Sequence, residues 1–98
     1  MTTRLATNSK VAVGSTTTVV MAADPDRKWA VLTNDSDEAI YLGLGEAAVM
    51  NEGIRLDPVA ATAPAGCYKI DANNRFTGAI NAICTSGSKN LAFTYSPV

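Results

Sequence analysis

Histidine is absent from this chain of 98 residues. That absence removes the commonest general base, every Ser-His and Cys-His nucleophile pair and most zinc sites. An excess of charge of one sign is missing too: 8 Lys and Arg stand against 9 Asp and Glu, for a net −1 and a pI of about 5.1. Such a balance offers no basic footprint for DNA, RNA or an anionic membrane, so no nucleic-acid and no membrane partner is expected. No apolar run approaches the ~20 residues of a membrane span, and the opening segment MTTRLATNSK lacks the apolar stretch of a secretory signal. The expected product is a soluble protein made in the cytoplasm. In that setting the sequon NDS at Asn34 reads as a turn and not as a glycosylation acceptor.

What is present has a period of two. A chain of this length makes one domain. STTTVVMAA is rich in β-branched residues and stops at DPDR, where Pro25 has no N–H for a ladder, so a strand is expected over residues 16–21. KWAVLTN and AIYLGL flank the polar DSDE and read as a hairpin, with Trp29, Val31 and Thr33 on one face. GIRL, CYKI, AINAICT and NLAFTY each alternate: Ile54 with Leu56, Tyr68 with Ile70, Ile80 with Ala82 and Cys84, and Leu91 with Phe93 and Tyr95. DPVAATAPAG reads as a loop, DANNRFTG as a turn-rich connection and GEAAVMN as one or two helical turns. The expected fold is all-β: a single small antiparallel β-sandwich or β-barrel-like domain of about seven short strands over residues 14–98. Residues 1–13, polar and unpatterned, are expected to form a flexible N-terminal arm.

The candidate chemical sites are few. GLGEAA, Gly43 to Ala48, matches a G-x-G-x-x-A fingerprint, but a dinucleotide site needs a helix of several turns after it, and Asn51 and Gly53 end the candidate helix at once. Glycines permitting an exit turn from a strand are the better reading, and no cofactor is expected. Asp35, Asp37 and Glu38 lack the register of a dedicated calcium loop and read as a solvated turn, so no metal is expected either. Arg27, just after the DPD turn, is placed to fork onto a carboxylate or onto backbone carbonyls. Trp29 is expected to be a core anchor. Cys67 and Cys84 both fall in strand-like segments, which leaves open two buried free thiols or a disulfide formed under oxidising conditions.

The order TTTVVMAADPDRKWAVLTNDSDEAIYLGLG, then GIRLDP, then RFTGAINAICTSGSKNLAFTY resembles small structural proteins of tailed bacteriophages. Those proteins share a β-branched strand, an N-P-x-R-K type turn, an x-N-x-S hairpin, a G-I-x-L-x-P segment and a closing y-T-G-A-v-x-A-I strand before a final strand. The resemblance runs from about Thr16 to Tyr95. It implies a non-enzymatic capsid decoration protein on the virion surface, binding the major capsid protein and sister subunits as a homo-oligomer, a trimer before a dimer. It also leaves a head-fibre, collar or tail accessory subunit, or a carbohydrate- or receptor-binding β-module, as alternatives. In a cementing subunit, the arm residues Arg4, Leu5 and Lys10 are the expected contacts, with Leu5 as an apolar peg and Arg4 pairing to a carboxylate.

Overall fold

A computed structural model describes residues 6–60 and 65–97. Eight strands are present among the described residues: β1 (Thr7–Val13), β2 (Thr18–Met21), β3 (Trp29–Asn34), β4 (Ile40–Leu44), β5 (Ile54–Leu56), β6 (Cys67–Ile70), β7 (Ile80–Ile83) and β8 (Lys89–Ser96). They form two antiparallel four-stranded sheets, ordered β1-β8-β3-β6 and β2-β7-β4-β5. The described residues contain no helix, and the chain is a small β-sandwich-like domain.

The inner faces of the sheets follow from alternation. Leu32, Phe93 and Tyr68 lie opposite one another across β3, β8 and β6, while Leu42 pairs with Ala82 and Ile54 on β7 and β5. Leu32, Leu42, Ala82 and Phe93 belong to one apolar core against which Ile54 and Tyr68 pack, with Ile80, Ala82 and Cys84 fully buried along one side of the β7 segment, as the sequence pattern predicts. In β2 a bulge between Val19 and Met21 inserts one extra residue against β7, so Val20 and Met21 both turn inward while Val19 stays 61% exposed.

Four expectations need correction. Thr7–Val13 is not an arm but a strand, paired with β8 from Thr7↔Tyr95 to Val13↔Lys89. Its polar sequence hid it, because an outermost strand is held by backbone bonds to its neighbour and needs only Val11 and Val13 against the core. Trp29 is half-buried and lies outside the core, since Ala30, Leu32 and Asn34 occupy the inner face of β3 and the Trp29–Val31–Thr33 face looks outward. GEAAVMN is a turn and loop: Gly45 and Asn51 adopt φ of +79° and +66°, which interrupt any helix. Finally, DSDE joins no hairpin, because β3 and β4 lie in different sheets. Of the strands consecutive in sequence, only β4 and β5 pair. The alternation of a strand is the same whether its turn doubles back or arches to the opposite sheet, so period alone does not distinguish them.

Candidate functional site

The arch between β3 and β4 is built on Asn34, which is fully buried. Its Nδ2 donates to the carbonyls of Glu38 at 2.7 Å and Leu56 at 2.9 Å, and its Oδ1 accepts from Ser36 Oγ at 2.6 Å. One side chain therefore satisfies groups at the arch and on β5, as buried polar groups require. The acidic residues then reach across to the arch between β7 and β8. Glu38 accepts from Ser86 N–H at 2.9 Å and from its hydroxyl, Asp37 pairs with Lys89 Nζ at 2.7 Å, and Asp35 accepts from Asn90 Nδ2 at 3.1 Å. The Ser86 hydrogen bonds hold Glu38 below the usual carboxylate range, and Lys89 does the same for Asp37. These carboxylates clasp two loops, and among the described residues no group of three His, Cys, Asp or Glu could hold a metal ion.

Of the two partners its place after the turn leaves open, Arg27 takes backbone carbonyls and not a carboxylate. Its Nη1 donates to Phe76 O at 2.9 Å and Gly78 O at 3.2 Å, and its Nη2 to Ala22 O at 2.7 Å, tying the β2–β3 connection to the segment before β7. Burial lowers its pKa, partly offset by the opposing charge of Asp24. Arg75 reinforces the same turn by donating to the carbonyls of Arg27 and Pro25.

The GLG motif is a packing device. A Cβ at Gly43 would lie 2.8 Å from Glu46 O and 3.0 Å from Ala48 Cα, so the missing side chain lets loop 45–53 fold onto the outer face of the second sheet. There Ala48 joins Tyr41 and Ile83 in a small separate apolar cluster, and its N–H donates to Thr17 Oγ1 at 2.8 Å.

The two cysteines do not meet. Cys67 is exposed on β6, the outermost strand at one edge of its sheet, whereas Cys84 is buried and its Sγ donates to Val13 O at 3.3 Å beside the opposite edge. Both are free thiols, so the candidate disulfide is absent and only one of the two is buried.

Of the three candidate contact residues, Lys10 lies exposed in the middle of β1 opposite Ala92, and Arg4 and Leu5 fall outside the described residues. Lys10 points outward, because Ser9, Val11 and Val13 take the inward positions on β1. β1 is the outermost strand of its sheet and seven residues long, with residues 7–10 exposed; β2 is the outermost strand of the other sheet on the same flank. No protein-family model matches the chain, and comparison with curated proteins and with solved structures finds no match for it either.

Proposed function

We propose that this chain is a structural subunit of a tailed-phage virion that docks on the capsid surface through its β1 flank and stabilises the head. The observation that carries this reading is β1 itself: a seven-residue outermost strand, exposed at residues 7–10, that offers main-chain groups and Lys10 to a neighbour. The side chains of Asp35, Asp37, Glu38 and Arg55 support a non-enzymatic role, since all four are engaged in bonds within the fold. Each subunit would bury main-chain and apolar surface across a seam between capsid proteins, and contacts that are weak singly sum over a symmetric shell. Lys10 then pairs with a carboxylate of the capsid protein or of a sister subunit.

Two measurements test the proposal. Cryo-electron microscopy of particles from the encoding phage should locate the subunit on the head with β1 at the seam. Purified Lys10→Glu protein, folded as judged by its melting transition, should bind heads lacking the subunit roughly tenfold more weakly than the wild type. Particles devoid of the subunit, or density placing it on a tail or fibre, would replace this reading with one of the other virion positions or abandon it.

A further inference from the structure

An open cleft of about 350 Å³ lies between the β1–β8 side of one sheet and the segment that runs from β2 to Arg27. Its origin is legible in β1. The inward positions run Val13, Val11, Ser9, and the first two pack against the core. At the third, a small hydroxyl stands where a large apolar side chain would seal the sandwich. Opposite, the bulge in β2 turns both Val20 and Met21 inward, and with Phe93 they give the cleft an apolar floor.

The polar lining comprises Ser9, Asp24, Arg27 and Tyr95, of which Arg27 is the one cation. Arg27 is 1% exposed, yet neither ion pair among the described residues involves it. Three of its N–H groups go to the carbonyls of Ala22, Phe76 and Gly78, and its Nε has no partner among the described residues. A guanidinium carries five donors, so the Nε hydrogen and one on Nη2 stay unspent. A buried charge ordinarily has an opposite charge against it, because carbonyl dipoles only partly replace its hydration. Asp24 also lines the cleft, but it is partly exposed and its Oδ1 accepts from Asp26 N–H at 2.9 Å, so its charge is shared with the turn and with water. Tyr95, on β8, also lines the cleft and brings a phenolic donor.

We propose that this cleft binds an organic carboxylate, with Arg27 and Tyr95 donating to the carboxylate oxygens and Val20, Met21 and Phe93 packing a compact apolar body. A charged acceptor on an unspent guanidinium donor forms a stronger hydrogen bond than a neutral one, and the volume falls at the small end of ligand pockets. The cleft does not rest on the virion role, although it shares Ser9 with the β1 flank. A free small molecule and a glutamate side chain of a protein partner share this chemistry.

Titration of the isotope-labelled full chain, followed by amide chemical shifts, tests the site with three probes: benzoate, benzyl alcohol, and the capped peptide acetyl-Gly-Glu-Gly-amide. Benzoate should shift the Ser9, Ala23, Phe93 and Tyr95 amides saturably, and benzyl alcohol should bind at least about tenfold more weakly. Saturation of the same amides by the peptide, more tightly than by benzoate, assigns the carboxylate to a protein partner; the reverse order assigns it to a free ligand. Arg27 also holds the fold together, so the test relies on two milder variants. Ser9→Leu, at the exposed edge, should fill the cleft and abolish the shifts. Tyr95→Phe should weaken benzoate while leaving the unliganded spectrum nearly unchanged. Equal binding of benzoate and benzyl alcohol, retained binding by Ser9→Leu, or no saturable shift with either carboxylate would overturn the proposal.

Discussion

Glu38 and Ser86 are 48 residues apart in sequence, and in the fold the Glu38 carboxylate takes both the N–H and the hydroxyl of Ser86. With Asp37–Lys89 and Asp35–Asn90 beside it, this contact locks the arch between β3 and β4 to the arch between β7 and β8. Each arch carries the chain from one sheet to the other, so the clasp closes one end of the sandwich.

The clasp gives a pH dependence of definite sign. Glu38 and Asp37 have folded pKa values below their ordinary 4.5 and 3.8. A depressed folded pKa contributes stability that is present above the unfolded value and is lost as pH falls through the folded value. Thermal melts should therefore show stability declining as pH drops below about 4.5. Glu38→Gln should flatten part of that decline. An unchanged acid profile in the variant would assign the acid sensitivity to other carboxylates.

Asn34 is the second test. Replacing it with Asp keeps the shape but removes both donated hydrogen bonds, and it sets a carboxylate against the carbonyls of Glu38 and Leu56. The expected loss is ~2–4 kcal/mol at neutral pH, read from urea unfolding. Because the side chain is fully buried, Asn34 should also stay unmodified when the chain is expressed in a glycosylating host. A glycan at Asn34 on folded protein would contradict the arch.

The thiols should behave differently from each other. Cys67 should react with a thiol reagent in the native protein, and Cys84 only on unfolding. Reductant should leave the melting temperature unchanged. One label per native chain and two after denaturation is the expected mass-spectrometric result.

Gly43 separates packing from nucleotide chemistry. Gly43→Ala should destabilise by ~1–3 kcal/mol, because its Cβ would press on the backbone of Glu46, Ala47 and Ala48. Saturating NAD or ATP should not raise the melting temperature of the wild type, since no helix follows the GLG turn to present amides to a phosphate. A reproducible rise of several degrees would point to a nucleotide site after all.

Side-chain chemistry along the chain was enough to show an all-β domain, to place seven of its strands within a residue or two, and to put Ile80, Ala82, Cys84, Leu91 and Phe93 inside. That Arg27 forks was legible as well, while its choice of carbonyls over a carboxylate came from the segment before β7. These are local properties: period, turn residues and the reach of one side chain. What only the tertiary structure decided is which strands pair and what they leave open. Thr7–Val13 becomes a strand because β8 offers it a backbone edge, not because TNSKVAV alternates. Trp29 faces outward because its register against β8 turns Ala30, Leu32 and Asn34 to the core. DSDE arches between sheets because Asn34 and the carboxylates find partners on β5 and at residues 86–90, far along the chain. The cleft exists because Ser9 on one sheet meets the bulge of β2 on the other. Each of these depends on partners from distant parts of the chain, and pairing free energy between distant segments leaves no periodic trace in either segment alone.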